Sequence, residues 1–408
     1  MNPLRLVFVT PRFWPLADDP ERALANLAAE LVARGCRVTV LTAAWDPSWS
    51  TRITFRGVPV VRLPHPPRGG RQTFRYVRSV SRWLQSNRGR YDLVYVSTLR
   101  HEAYAAVRTL RCHAATRGVP VVLRPSTAGR FGDCLWQIDA RCGRRIKREC
   151  MKAAAWVGSS RAIERELQAA GYPRTAIHLL PDGVRAAPPR DPAAMAAARA
   201  ALIQANATLE MPAGTPMAVC IAPLRRDTAL RHLISAWHTV VARWPNARLW
   251  LAGEGPDRRV LSHQIEALNL TGRVVLVGVF DELDVLLDAA DLFVLPSLQG
   301  GTSLALLEAM AAGVPIVAGD VQGNRDAITD GRHGLLVPPG NVDALAATIV
   351  RLLQRPDLAA QLGVAARERA AAEFSLAKMA NGHLTLFQSL IHPPLNSPDG
   401  SPVVEKVL

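Results

Sequence analysis

Short apolar runs rich in Val, Ile and Leu alternate along this chain with stretches whose apolar residues recur at three- and four-residue spacing, and the alternation happens twice. The first series predicts strands over residues 4–10, 37–42, 58–63, 93–97, 119–123, 156–159 and 177–181. The second predicts strands over 217–221, 248–252, 274–277, 292–295, 315–317 and 334–337, with helices between them. Runs that are apolar almost throughout fit strands covered on both faces, as in doubly wound parallel sheets, so the fold class is α/β. A Pro- and Ala-rich stretch over residues 186–216, holding a short predicted helix at 193–206, separates the two series. Ligands of such sheets gather at the carboxyl ends of strands. The turns after Thr10, Leu123, Ile221, Ala252 and Leu295 are therefore the places to search.

One stretch stands out, PSLQGGTSLALLEAMAAGVPIVAGDVQGNRDAITDGRHGLLVPPGN from Pro296 to Asn341. Gly300 and Gly301 open a turn after a buried strand, Thr302 or Ser303 is placed to cap a helix over 304–312, and Gly313-Val314-Pro315 ends it. Amides at a helix start lack intrahelical acceptors and carry partial positive charge, which suits a diphosphate. Glu308, about one turn inside, is placed to accept hydrogen bonds from ribose hydroxyls. The local pattern is equally compatible with an ordinary strand-turn-helix and a solvated Glu308.

Length and composition narrow the rest. A chain of 408 residues implies two to three domains. No run approaches ~18 apolar residues, and residues 4–9 are too short for a signal peptide, so neither a membrane span nor export is expected. Six cysteines without a C-x-x-C pair, and histidines without metal-ligand spacing, predict reduced thiols in the cytoplasm and no metal site.

Charge is unevenly divided. Residues 1–188 hold 31 Lys plus Arg against 13 Asp plus Glu, net +18, whereas residues 189–408 hold 18 against 21. Arg71, Arg75, Arg78 and Arg82 recur at helical spacing beside Phe74, Val77, Ser81 and Leu84, and Arg141, Arg144, Arg145, Arg148 and Lys152 repeat the arrangement. Two basic helix faces fit an anionic membrane surface, each charge contributing on the order of 1 kcal/mol near it. Solvated faces fit equally, since 45 arginines against four lysines is a bias that base composition alone produces. No aromatic-interleaved basic strand or recognition helix points to nucleic acid.

The stretch from Pro296, together with GDCLWQIDARCGRR, VGSSRAIERELQAAGY, LLPDGV, LISAW, LAGEGPDRRVL and LVGVF, all in register, resembles the retaining glycosyltransferases of family four, the glycogen-synthase-like branch of the GT-B superfamily. The resemblance covers roughly residues 4–387. It implies two facing Rossmann-like doubly wound domains, an acceptor-binding one over 1–188 and a nucleotide-sugar-binding one over 189–374. A helix over 375–391 would cross back to the first domain, and the tail over 392–408 is read as disordered. It implies transfer of a sugar from a nucleotide diphosphate donor to a hydroxyl of a glycan or lipid-linked acceptor, with retention and with neither metal nor cofactor. A peripheral site on the inner face of the cell membrane is compatible with this.

Carried over by position, Glu308 matches the second glutamate of the family's E-x7-E pattern and holds the ribose. Gly301, Thr302, Ser303 and Leu304 lie where amides meet sugar or diphosphate, Gly253 and Gly255 match a turn that admits the nucleotide, and Asp326 supports. The departures are as informative. The pattern's first glutamate is Gly300, the diphosphate-binding arginine and lysine fall on Pro223 and Thr228, and the glycine pair after the first strand falls on Asp18 and Asp19. Arg225 and Arg226 share the loop of the missing cations and are candidates to replace them. On the acceptor side the candidates are Ser126, Arg130 and Asp133, with Asp133 and His101 as the only catalytic ones, because family chemistry lets a donor phosphate oxygen take the acceptor's proton. The altered positions also open an alternative: a catalytically weakened relative that binds nucleotide sugar, glycan or a partner.

Overall fold

The computed structural model describes residues 3–16, 18–110, 118–206, 209–212, 214–280 and 283–392. Cys112 and the tail after His392 lie outside the described residues. The chain forms two compact units, Met1–Gly183 with Leu376–Leu408, and Val184–Ser375.

Unit 1 runs β1 (Arg5–Val9), α1 (Asp19–Ala33), β2 (Arg37–Ala43), β3 (Arg52–Phe55), β4 (Val58–Leu63), α2 (Gly70–Ser86), β5 (Leu93–Val96), α3 (His101–Leu110), β6 (Val121–Leu123), α4 (Asp133–Asp139), α5 (Gly143–Cys150), β7 (Ala155–Gly158), α6 (Arg161–Ala169) and β8 (Ile177–Leu179). Unit 2 runs α7 (Pro192–Ala205), β9 (Met217–Ile221), α8 (Leu230–Arg243), β10 (Arg248–Ala252), α9 (Arg258–Ala267), β11 (Val274–Gly278), α10 (Asp284–Ala289), β12 (Leu292–Leu295), α11 (Leu304–Ala311), β13 (Ile316–Gly319), α12 (Gln322–Ala327), β14 (Leu335–Val337), α13 (Val342–Gln354) and α14 (Pro356–Glu373). The chain then returns to unit 1 as α15 (Leu376–Ile391).

The unit 1 sheet has the order β3-β4-β2-β1-β5-β6-β7-β8. Successive residues of a strand point to opposite faces, and here both faces are covered. Val7, Val9 and Leu41 pack with Tyr76 of α2, Ala103 of α3, Ile146 of α5 and Leu167 of α6. Leu6, Phe8 and Val38 pack with Leu24 and Leu31 of α1 and with Met379 and Phe387 of α15. That double cover is why the strands read as unbroken apolar runs. His383 of α15 meets the Tyr95 hydroxyl at 3.1 Å, and burial pushes its pKa down to about 4.

One strand escaped the sequence reading. β3 pairs antiparallel with β4 through a turn in which Arg56 (φ 48°) and Gly57 (φ 77°) are both left-handed, the geometry of a two-residue hairpin. Its residues alternate exposed and half-buried at the sheet edge, so RITF never forms an apolar run.

The unit 2 sheet is fully parallel, in the order β11-β10-β9-β12-β13-β14. Among the described residues no helix is long and apolar enough to cross a membrane.

Candidate functional site

In unit 2 the strand order runs outward from β9 in both directions, through β10 on one side and β12 on the other. Loops leaving two adjacent strands at such a reversal diverge, and the crevice beside the carboxyl ends of the strands is where open α/β sheets hold ligands. The loops after β9 and β12 are those the sequence marks, and they are joined by a hydrogen bond from the Leu298 amide to the Asp227 carbonyl at 3.3 Å.

Glycines let these loops interlock. A Cβ on Gly253 would collide with the Ala222 carbonyl oxygen, and one on Gly255 would lie 2.8 Å from the Leu224 amide nitrogen. In this conformation the two glycines serve backbone packing of the β10–α9 turn on the β9 loop, tied by Leu224 N–H donating to Glu254 O at 3.0 Å. Gly323 in α12 packs against Gly300 and Gly301, where its Cβ would sit 2.6 Å from Gly300 O. The Thr302 hydroxyl donates to the Gly323 carbonyl at 2.9 Å, so Thr302 pins the loop and does not cap α11. Ser303 is the N-cap residue, in extended backbone with φ −78° and ψ 139°. Gln322 Nε2 donates to Asp326 Oδ1 at 2.8 Å, which stiffens α12 from the same side.

Every residue of α11 is buried except Glu308. An apolar helix enclosed on all sides is a core element, so one carboxylate at its only non-buried position is singled out by the fold as well as by the motif. Gly300 has φ 128°, a conformation that L side chains rarely adopt. The loop is therefore built for glycine where the family has a glutamate.

Around the missing cations, Pro223 presents its carbonyl to the Thr228 hydroxyl at 3.0 Å, and Thr228 also reaches Arg225 O at 2.6 Å. Arg225 pairs with Asp227 through Nε–Oδ1 at 3.2 Å and Nη2–Oδ2 at 3.1 Å. Arg226 is exposed. Both arginines line a cavity of about 440 Å³ with Arg231 and His232 of α8 and Gln264 of α9. Among the described residues His232 Nδ1 and Gln264 Oε1 are buried there without hydrogen-bond partners. Sequence reasoning missed Arg231, His232 and Gln264, because a lone residue on a helix carries no signal of the groove it borders.

In unit 1 the acceptor candidates separate. Asp133 opens α4 and its side chain is fully buried. Its carboxylate accepts from Leu99 N at 3.0 Å, Ser126 N at 3.2 Å and Arg100 Nε at 2.6 Å. It is a pin between the loops after β5 and β6, so these bonds give it a bracing role in place of the catalytic or acceptor-binding one expected of it. Ser126 is half-buried with its amide on that pin, and Arg130 is exposed. His101 packs edge-on to Trp136 at 5.2 Å with Cys142 Sγ 3.8 Å from its Nε2, and burial with the Arg100 charge lowers its pKa. It is a packed side chain at the start of α3, held in the neutral form. At α1, Asp18 is the N-cap residue and Asp19 the first helical one, paired with Arg12 at 3.7 Å and Arg22 at 3.6 Å. That helix start already carries its own anions. Arg124, missed in the sequence, pairs with Asp182 at 2.7 Å while 3% exposed. Beside it burial, with Asp18, pushes the Glu21 pKa up to about 8. Among the described residues no three His, Cys, Asp or Glu side chains cluster so as to hold a metal ion.

Comparison with known proteins assigns this architecture. The glycosyl transferase 4-like domain model matches residues 20–183, and the model for glycosyl transferases group 1 matches residues 215–355. A lipopolysaccharide core biosynthesis glycosyltransferase of Rhizobium meliloti is 30% identical over 184 residues, 45% of this chain and 53% of the other. Alpha-maltose-1-phosphate synthase of Mycolicibacterium smegmatis is 30% identical over 189 residues, 43% of this chain and 48% of the other. The chain thus spans about half the length of these curated relatives. Among solved structures, sucrose-phosphate synthase of Thermosynechococcus elongatus superposes with a TM-score of 0.78 at 22% identity, covering 96% of this chain and 100% of the other. HepE of Anabaena in complex with UDP and glucose gives 0.75 at 18% identity, covering 95% and 100%. These two likenesses share the fold, two α/β units of GT-B type with mostly parallel sheets. With a glycosyl transferase 4-like domain followed by a glycosyl transferases group 1 domain, the chain belongs to the family-four, GT-B-type glycosyltransferases.

Proposed function

We propose that this protein transfers a sugar from a nucleotide diphosphate sugar, bound by unit 2, to a hydroxyl of an acceptor bound by unit 1, with retention at the anomeric carbon. The observation that carries the reading is the start of α11 at the strand-order reversal, with Glu308 the one position of that helix not buried. Helix-start amides hold the diphosphate and the Glu308 carboxylate accepts hydrogen bonds from the ribose. The bond from the anomeric carbon to the phosphate oxygen breaks while the acceptor oxygen bonds on the same face. The acceptor proton passes to the departing phosphate, so donor and acceptor alone complete the reaction. Developing charge on the leaving group needs fixed donors; Arg225 and Arg226, beside the cavity of about 440 Å³, supply them in place of Pro223 and Thr228.

The acceptor is a glycan or a lipid-linked glycan, and the arginines of α2 and α5 hold unit 1 against the anionic inner face of the cell membrane. Arg71, Arg75, Arg78 and Arg82 on α2, and Arg144, Arg145 and Arg148 on α5, are all exposed, which supports this placement. A panel of UDP-, GDP- and ADP-sugars tests the donor half by thermal shift, since a ligand of the native state raises stability by mass action. One base class should stabilise the protein and Glu308→Ala should cancel the shift. No shift with any donor would refute the reading.

A second reading is favoured by one observation: Arg225 is already engaged by Asp227, and Thr228 by backbone carbonyls. On this reading the protein binds donor or glycan without turnover. Donor binding without hydrolysis or transfer would select it.

A further inference from the structure

α4 carries an apolar surface that the core does not use. Phe131, Leu135 and Ile138 are 47%, 40% and 68% exposed, and Leu135 and Ile138 are one turn apart on the same outward face. The opposite face is locked. Gln137 Nε2 donates to Leu99 O at 2.7 Å while its Oε1 accepts from the Tyr172 hydroxyl at 2.8 Å. Asp133 is held by three donors, and a Cβ on Gly143 would lie 2.6 Å from the Gln137 carbonyl carbon, so α4 and α5 meet backbone to backbone. A helix fixed by buried polar bonds cannot roll to hide Leu135 and Ile138, so their exposure is imposed by the fold.

The surroundings are cationic. Arg141, Arg144, Arg145 and Arg148 are exposed on and before α5. Arg145 of α5 and Arg108 of α3 both lie over the Tyr104 ring, at 5.6 and 5.8 Å, which ties the two helices. α2 also packs against α3, with its four arginines and with Phe74, 67% exposed, near its start. Carboxylates are fewer: Glu149 is paired with Lys152 at 3.0 Å, half-buried Glu166 accepts from the Gly129 amide beside the Phe131 loop, and Asp139 is the exposed carboxylate of α4.

We propose that α4 is an insertion wedge: Phe131, Leu135 and Ile138 enter the interface of an anionic bilayer while the arginines of α5, α3 and α2 bind its headgroups. Exposed apolar side chains on a helix that packs against an arginine-rich one are what an interfacial element requires, since acyl-chain burial and headgroup attraction add. The inference rests on the membrane placement proposed above and extends it from attraction to insertion. The two parts differ in salt response, because screening weakens the charges and leaves the apolar part.

Flotation of the full chain with phosphatidylglycerol-containing vesicles, at low and high salt, separates them. Wild-type protein should keep a salt-resistant fraction of binding. Phe131→Ser with Leu135→Ser and Ile138→Ser should lose that fraction and weaken binding at least about tenfold, with an unchanged melting temperature because the replaced side chains are exposed. A tryptophan reporter, Ile138→Trp, should be quenched by brominated acyl chains. Binding that is fully reversed by salt, and unaltered in the triple variant, would overturn the wedge while leaving membrane attraction standing. Absence of flotation at any salt would overturn both. A wild-type dimer that the triple variant dissolves, without vesicle binding, would assign the patch to a second copy and refute the wedge.

Discussion

Replacing Gly323 by alanine tests the donor site at the point where its geometry is tightest. Helix propensity alone favours the change by about 1 kcal/mol, since alanine is the better helix former. The packing opposes it. The new Cβ would lie 2.6 Å from Gly300 O and closer still to the carbonyl of Gly301. Ordinary contact needs ~3.4 Å or more, so one partner must recede by about 1 Å, and overpacking of this kind costs about 1–3 kcal/mol. α12 is the less able to move, because Asn324 Nδ2 is bonded to Gly319 O at 2.8 Å in a buried position. The loop carrying Gly300, Gly301 and Thr302 yields instead, and takes the start of α11 with it. Losing one charge-assisted hydrogen bond to the diphosphate costs about 1.5–3 kcal/mol, roughly ten- to a hundredfold in affinity. Titration calorimetry with the stabilising donor should therefore show Gly323→Ala folded but with donor affinity lowered by about that factor. Gly331→Ala is the control, since its φ of +72° imposes strain where nothing lies within 4 Å of the new Cβ. A folded Gly323→Ala protein that binds donor as wild type would show that the start of α11 is not the diphosphate grip.

Three further outcomes follow. Arg225→Ala with Arg226→Ala should weaken nucleotide binding about a hundredfold or more, two charge-assisted contacts being removed; unchanged affinity by calorimetry would return these arginines to the solvent. Gly300→Glu, which restores the family's glutamate, should lower stability in urea unfolding by roughly 1 kcal/mol or more, because φ 128° strains any side chain; an equally stable variant would show that the loop relaxes freely. His383 has a folded pKa of about 4 against 6.5 unfolded, so between these values the unfolded chain holds the extra proton and falling pH removes about 3 kcal/mol of stability. Glu21 and Glu102, raised by burial to about 8 and about 7, act in the opposite sense as pH falls. The measurement is thus the difference between wild type and His383→Gln across that window, and parallel curves would contradict it.

What the sequence discloses follows from what each element needs. A parallel strand covered on both faces must be apolar at every position, so β1, β5, β9 and β12 are written plainly. β3 has an edge and a solvent face, so its exposed positions Arg52 and Thr54 carry no such demand, and its hairpin turn rests on left-handed Arg56, a residue type without turn preference. The basic faces of α2 and α5 were legible because a charged residue has to point outward. The apolar face of α4 was not, since Phe131, Leu135 and Ile138 recur at the spacing that a core helix shows, and only the locked Gln137 reveals which side is inside.

The candidate sites divide along the same line. The case for Glu308 is local: a glycine turn, a helix start and one carboxylate in an apolar run. Asp133 looked similar, a carboxylate at the end of a polar loop after a buried strand, yet its meaning is set by Arg100, 33 residues earlier, which no spacing rule pairs with it. Arg124 and Asp182, 58 residues apart, are hidden for the same reason. A carboxylate in an α/β loop therefore reads as a ligand contact or a brace with equal ease until its long-range partner is known. The distinction matters for experiment: Asp133→Asn should loosen two loops and lower the melting temperature, whereas Glu308→Ala should leave folding intact and remove the donor-induced shift.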